Sequence, residues 1–466
     1  TNQNRSILNK YYQLSKEPGK YQDLILNAID QKTKEQLDLS VWHHELGSWT
    51  PEKTYEEINS RLHKLDPKKS ECVLIGGPPC QAYSISGRSR RSKMEKEGAY
   101  IPKKDERHFL YQQYLGLLPK FKPAIFIMEN VPGILSSKMN GEPIFERILD
   151  DLRNIDGIKY ELFPLTKNQS DLFKNYKGTD FQINSALFGI PQARKRVIIM
   201  GVRQDLLTSN VIPGHLEERE SVSLQQMIGA MPKMRSGISK VSGTSAPDSL
   251  ELWKKEVTGW HGYKGSIEDP EIKALLFEKY IPQINECDLN RGGEYVGLGS
   301  YKKSGDSLPK ELKEWIIDEN IKGFINSSTR SHMDTDLKRY LYNSVYGEIH
   351  RKAPLLSDVP EKLLPNHQNK DKKIHQDRFR TLISDKPSKT ITSHISKDGH
   401  AFIHYDPLQC RSLTVREAAR IQTFPDNYIL CGNRTQQYHQ VGNAVPPYLA
   451  KQIAEIVSKF LDSVGI

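Results

Sequence analysis

Four side chains stand out by their type and their setting. Cys80 closes the turn Gly76-Gly77-Pro78-Pro79-Cys80-Gln81, which follows the apolar run Cys72-Val73-Leu74-Ile75. Such a run reads as a buried strand, and the carboxyl end of a strand is where open α/β sheets hold their ligands. The paired prolines fix two φ angles, so the turn is stiff and presents its thiol rather than packing it. Glu129 ends a second apolar run, Ile125-Phe126-Ile127-Met128, just ahead of Asn130-Val131-Pro132-Gly133. Gln192-Ala193-Arg194-Lys195-Arg196 leads into a third, Val197-Ile198-Ile199-Met200. Residues two apart on a strand share a face, so Arg194 and Arg196 are expected side by side. The chemistry is that of a thiolate nucleophile served by a carboxylic acid and two guanidiniums. A free cysteine titrates at about 8.5, so the site must lower that value through nearby cations or backbone N–H groups. No His motif accompanies Cys80, which counts against a thiol hydrolase.

The elements that would position these groups follow from pattern. Residues 1–70 read as mostly helical: Thr50-Pro51-Glu52 is a helix start, and Tyr55, Ile58, Leu62 and Leu65 recur at helical spacing. The strand Cys72–Ile75 comes next, then a polar loop from Gly87 to Arg107 rich in Arg, Lys, Ser and Gly. A helix over Phe109–Phe121 joins it to a strand at Ala124–Met128, and strand–helix–strand implies parallel pairing. A helix near Ile144–Leu152 precedes a strand around Tyr160–Phe163. From about 216 to 375 no βαβ rhythm is visible, and this Lys-, Gly- and Ser-rich segment is expected to be irregular or mixed. It carries Arg291-Gly292-Gly293 and Tyr301-Lys302-Lys303. Strand character resumes at Thr390-Ile391-Thr392 and Phe402-Ile403. Thr414 with Glu417 forms a capping box, and Leu449, Ile453, Val457 and Phe460 mark a final amphipathic helix.

Composition narrows the class. The chain has 466 residues, enough for two or three domains, and 67 Lys plus Arg against 57 acidic residues give a net charge of +10. That excess favours a polyanionic partner. There is no apolar run long enough to cross a membrane and no signal-peptide pattern, so a soluble intracellular protein is expected. Five cysteines without a Cys-x-x-Cys pair argue against zinc ribbons and disulfide frameworks.

Pro-Pro-Cys-Gln, Glu-Asn-Val, Gln-x-Arg-x-Arg, Arg411-Ser412-Leu413-Thr414-Val415-Arg416-Glu417 and Gly442-Asn443-Ala444-Val445-Pro446-Pro447 stand in that order. Together they resemble the motifs of DNA (cytosine-5) methyltransferases, over residues 72–201 and 380–457. The resemblance implies an α/β fold: a Rossmann-like sheet that uses S-adenosylmethionine, with a second, irregular target-recognition domain. The implied boundaries are 1–215 for the catalytic domain, 216–380 for target recognition and 381–466 for the segment returning to the catalytic domain. It implies Cys80, Glu129, Arg194 and Arg196 as catalytic, and Pro79, Leu110, Asn443, Ala444 and Val445 beside the cofactor. Gln81, Ser84, Arg88, Lys302 and Lys303 would contact DNA, with no metal required. The implied partner is double-stranded DNA, whose target cytosine is flipped out of the helix, and the setting is cytoplasmic, nucleoid-associated restriction–modification.

One family feature is missing. Members normally open with an Asp-x-Phe-x-Gly-x-Gly loop, where only glycine lets backbone approach the cofactor, and this chain has no such loop before residue 76. The sheet is then expected to lack its N-terminal strand. Lost residues, a second polypeptide supplying the loop, or a degenerate homologue would each account for that. Two further readings stay open: a DNA-binding subunit without its own cofactor pocket, and an RNA cytosine-5 methyltransferase. The length of the 216–375 segment counts against RNA.

Overall fold

The computed structural model describes residues 9–13, 27, 29–66, 71–78, 110–139, 142–167, 176–208, 211–240, 247–365 and 378–466. The chain divides into two compact units. One holds Ile29–Phe188, Arg194–Arg219 and Ala450–Ile466, and is here called the sheet unit. The other holds Thr1–Ala28, Gly189–Ala193 and Glu220–Leu449, and is called the helical unit. Among the described residues no helix is long and apolar enough to cross a membrane.

The sheet unit is built on six strands: β1 Val73–Gly76, β2 Ile125–Asn130, β3 Asn154–Ile155, β4 Ile158–Pro164, β5 Gln182–Asn184 and β6 Lys195–Arg203. Their order is β1-β2-β6-β4-β3, with β5 also pairing β6. β1 and β2 run parallel, as strand–helix–strand required, and every other pairing is antiparallel. Thr50 caps helix α1, Pro51–Leu65, with Pro51 in its first turn. The helix expected over Phe109–Phe121 is two short ones, Leu110–Leu115 and Leu117–Phe121, divided at Gly116. Gly116 is where the Tyr55 hydroxyl donates to the backbone carbonyl (2.8 Å), and a Cβ there would sit 2.9 Å from that oxygen. Helix α2, Ile144–Arg153, lays Phe145, Ile148, Leu149 and Leu152 against Phe126 and Met128 of β2, Leu162 of β4 and Ile199 of β6. Gly201 lies opposite Phe126 and admits its ring, since a Cβ would fall 2.1 Å from it.

The helical unit is more ordered than its composition suggested. Helices Leu250–Thr258, Pro270–Ala274 and Ile281–Glu286 pack with α3, Asp334–His350, around Trp253, Leu276, Ile284, Leu337, Leu341 and Val345. The apolar spacing was helical there, but the polar composition masked it. Strand character at 390–392 and 402–403 is reduced to the two-residue strand Ser388–Lys389, bridges at Ile403 and 3₁₀ turns over Ser393–Ser396 and His400–Phe402. Thr414 caps α4, Val415–Ile421, in the expected capping box, and α5, Arg434–Asn443, follows. The final helix is Pro447–Ser463, with Ile453, Val457 and Phe460 buried as its pattern required.

Candidate active site

Two parallel strands bring two chemistry-bearing turns together. Val73 is in register with Ile125 and Gly76 with Met128, so β1 and β2 end at the same end of the sheet. One residue on, Gly77 faces Glu129: a Cβ built on Gly77 would lie 3.2 Å from Glu129 Oε2. Any larger residue at 77 would press on that carboxylate. The other oxygen, Oε1, accepts from Arg196 Nε at 2.7 Å, with the two side chains 16% and 23% exposed. Arg196 also donates from Nη1 to the Lys195 carbonyl at 2.8 Å.

Arg194 is buried beside this pair. Burial, then the Arg196 charge, push its pKa down to about 9, while Glu129 pulls it back up. Arg196 is lowered too, by burial, against the opposing pull of Glu129. The three side chains are thus electrostatically coupled, as their spacing predicted. The strand geometry differs, however. Arg194 is not within a continuous strand but in the break between Gln192–Ala193, which pairs with Ser388–Lys389, and β6. The Arg194 carbonyl is held by Ser185, whose N–H and hydroxyl donate to it at 3.0 and 2.9 Å. β5 pairs with β6 from Lys195 and β2 from Val197, so Arg194 stands just outside both ladders.

The remaining candidates fall elsewhere. Asn443, Ala444 and Val445 lie at the end of α5 in the helical unit, Asn443 exposed and the other two half-buried. Lys302 and Lys303 sit on a surface 3₁₀ turn, Tyr301–Gly305, where Lys302 pairs with Glu319 at 2.8 Å. Leu110 begins a short helix. Pro79, Cys80, Gln81, Ser84 and Arg88 lie outside the described residues.

Two positioning residues escaped the sequence reading. Gln192 and Gln422 are both fully buried in the helical unit, and Gln192 Nε2 donates to Gln422 Oε1 at 3.0 Å. Gln192 Oε1 accepts from the Ile391 N–H at 2.6 Å. Gln422 Nε2 donates to the Val441 carbonyl at 2.7 Å and reaches that of Ala444 at 3.4 Å. Within the helical unit these two amides tie Gln192 to the turn at Val441–Ala444. Gly442 allows the same turn to approach the backbone of Thr392 and Ser393, where a Cβ would meet Ser393 N at 2.3 Å. Glutamine carries no periodic or charge signal, so only contact reveals this pair. The same unit holds a cavity of about 720 Å³ lined by Arg378, Lys389, Thr390, Thr392, His394 and Lys397. Its cations come from scattered positions, which hid the cluster in the sequence.

The model of the C-5 cytosine-specific DNA methylase family matches residues 48–459. The type II methyltransferase M.Bpa9945I of Bacillus paralicheniformis is 32% identical over 436 residues, covering 92% of this chain and 81% of that protein. The type II methyltransferase M.DdeI of Desulfomicrobium norvegicum is 25% identical, covering 84% of this chain and 74% of its own length. The DNA (cytosine-5-)-methyltransferase M.ApeKI of Aeropyrum pernix is 24% identical, covering 84% and 82%. With the family model matching residues 48–459 and a relative 32% identical over 92% of its length, this chain belongs to the C-5 cytosine-specific DNA methylase family.

Proposed function

We propose that this chain methylates carbon 5 of a cytosine flipped out of duplex DNA, through a covalent adduct on Cys80. The observation that carries the reading is the approach of Gly77 to Glu129. The turn leading to Cys80 passes the carboxylate on its Oε2 side, while Arg196 holds Oε1. Carbon 5 of cytosine is a poor nucleophile. A thiolate adding to carbon 6, with a proton delivered to N3, converts the ring to an enamine that is electron-rich at carbon 5. Cys80 is assigned the addition and Glu129 Oε2 the proton. Arg194 and Arg196 would hold the ring's carbonyl oxygen and balance charge developing there. Once carbon 5 is methylated, loss of its proton to a base lets the carbon–sulfur bond break and the thiolate leave.

Cytosine within a duplex offers neither carbon 6 nor N3 to a pocket, so the base must leave the stack. Gln81, Ser84, Arg88 and the lysines 302 and 303 are assigned to DNA contacts, in keeping with the +10 charge. The basic cavity around Arg378, Lys389 and Lys397 suits phosphates of the same duplex. A cytoplasmic, nucleoid-associated role in restriction–modification follows from the same reading.

The family implies S-adenosylmethionine as methyl donor. The described residues do not complete a cradle for it: β1, the strand beside the proposed site, has β2 as its one sheet partner among them. Asn443, Ala444 and Val445 supply a single turn of the required contacts. A second polypeptide that supplies the Gly-rich cofactor loop is a partner this reading allows.

A duplex with 5-fluorocytosine at the target tests the chemistry. Fluorine cannot leave carbon 5 as a proton does, so the thiolate is not expelled and a protein–DNA band survives denaturing electrophoresis. Cys80→Ser should abolish both the band and turnover while leaving DNA binding intact. Free protein alone, under conditions where ordinary DNA is methylated, would remove covalent catalysis.

A further inference from the structure

A chain of hydrogen-bonding side chains runs through the interior of the helical unit and ends at the basic cavity. The Ser412 N–H donates to Nε2 of His332 at 3.4 Å, and the Ser412 hydroxyl lies 3.2 Å from the same nitrogen. Nδ1 of His332 is 3.3 Å from the hydroxyl of Tyr340 on α3, and that hydroxyl is 2.6 Å from Nδ1 of His400. Nε2 of His400 then faces two carboxylates, Asp398 at 3.9 Å and Asp336 at 4.0 Å. Ser412, His332, Tyr340 and His400 are all buried. Asp398 is not: its side chain is 43% exposed on the cavity wall, with Arg378 Nη2 at 3.5 Å.

Donor chemistry fixes the direction of the chain. A backbone N–H only donates, so Nε2 of His332 is the bare nitrogen and the proton of that neutral imidazole sits on Nδ1. It is donated to the Tyr340 oxygen, and the single phenolic proton goes on to Nδ1 of His400. The proton of His400 is thereby placed on Nε2, toward Asp398 and Asp336. One added proton reverses every bond. His400, now an imidazolium, donates from Nδ1 to Tyr340, and Tyr340 turns its proton to Nδ1 of His332. His332, its own proton moved to Nε2, donates to the Ser412 hydroxyl. Both arrangements satisfy the phenol and the buried ring nitrogens, so the chain has two ordered states that differ by one proton.

The charges around His400 decide which state holds. From α3 it meets Asp336, Arg339 and Tyr340, and from Ser331–Met333 it meets His332. Arg378 and the Phe379 ring face it from a third segment, and Asp398 from its own. Arg339 holds Asp336 and Arg378 faces Asp398, so carboxylates and guanidiniums balance. Burial, opposed by Asp336 and Asp398, keeps the His400 imidazole below its ordinary value of 6.5, and the neutral state prevails. Arg330, Arg411 and Arg434 disfavour charge on His332, so an added charge settles on His400. A phosphate in the cavity upsets the balance. Once Arg378 turns to it, Asp398 faces His400 without that guanidinium. We infer that a phosphate entering this cavity draws one proton into the chain, charging His400, with Tyr340 and His332 as the positioning residues. The inference rests on the proposed function in one respect, that DNA carries the phosphate; the coupling itself is argued from the chain. Proton uptake on binding means tighter binding as pH falls, by up to about tenfold per pH unit between the His400 pKa of the free state and the higher one of the occupied state.

Calorimetric titration of the full chain in two buffers of different ionisation enthalpy counts the protons, between about pH 5 and 8. The probes are a duplex of adenine and thymine alone, which offers no cytosine, and inorganic pyrophosphate. Both should bind with uptake of up to one proton per site. Asp398→Asn, on the exposed wall, should abolish the uptake and tighten binding at the alkaline end, where the wild-type carboxylate repels phosphate. Tyr340→Phe removes the oxygen that accepts from a protonated His400, and should lose the uptake as well. Should that buried change unfold the unit, Asp398→Asn still decides. His394→Gln, at an exposed imidazole of the cavity, should leave the proton count unchanged. Three results would each overturn the inference: no uptake with either probe, uptake that persists in Asp398→Asn, or uptake lost in His394→Gln. Uptake with pyrophosphate and no binding of the duplex would keep the coupling and refute DNA as the carrier. Neither probe needs the thiol, so a failed trapping experiment beside intact uptake would indict the chemistry alone.

Discussion

Two arginine–carboxylate pairs, one in each unit, are made for opposite purposes. In the helical unit, Arg411 grips Glu417 with two nitrogens, at 2.7 and 2.6 Å, and both side chains are buried. Glu417 also accepts from the Thr414 N–H and hydroxyl, at 2.7 and 3.1 Å. Burial alone would raise its pKa, but the Arg411 charge and these hydrogen bonds hold it at about 2. Nearby, Arg420 grips Asp426 the same way. In the sheet unit, Arg196 reaches Glu129 through Nε alone, at a partly open surface, and Arg194 is crowded in beside them at electrostatic cost. A saturated pair can only hold structure together. A pair with one oxygen turned toward Gly77 keeps a carboxylate placed for something not yet there.

The sharpest test of this contrast is Glu129→Gln. It should lower methylation by about 10²- to 10⁴-fold, the usual worth of a positioned acid, with little change in the thermal midpoint. Single-turnover rates and calorimetry on the same preparation check it. A large loss of stability with activity per folded molecule retained would make Glu129 a second Glu417.

Glu417→Gln should do the reverse. Removing one partner strands a buried guanidinium, which costs about 3–5 kcal/mol, and urea unfolding reads it directly. The wild-type pair also carries a pH signature. A carboxyl whose folded pKa is depressed, from 4.5 to about 2, adds stability that is complete above the unfolded value and vanishes as pH falls through that window. The contribution is on the order of 3 kcal/mol. Unfolding of the helical unit between those pH values should therefore be steep in wild type and flatter in Glu417→Gln. Equal slopes would mean the pair does not control acid stability.

The smallest effect is expected at the rim. Lys302 and Lys303 are solvent-exposed, and Lys302 already has Glu319 as a partner. Lys302→Gln with Lys303→Gln should weaken DNA binding about equally across sequences and reduce the salt slope by roughly 1 for each phosphate no longer neutralised. Weakening confined to one sequence would place these lysines at base edges instead.

Much of this was legible in order and local pattern. The strands Val73–Gly76 and Ile125–Asn130, the Thr50 and Thr414 caps and the final helix all emerge within a residue or two of where spacing put them, because period and capping act within a few residues. The coupling of Glu129 with Arg196 was legible as well, since motif order fixes which strand ends meet. The helical core around Trp253 and Leu341 was not, because its apolar positions come from four separated helices. Neither was the break at Arg194, which lies just outside the ladders that β5 and β2 make with β6, nor the Gln192–Gln422 bridge between residues 230 apart. Sequence alone determined that β1 is apolar on both faces and leads to the cysteine. Only the assembled sheet decided that one of those faces is bare, because cover is supplied by whatever packs from elsewhere in three dimensions and leaves no mark on the strand itself.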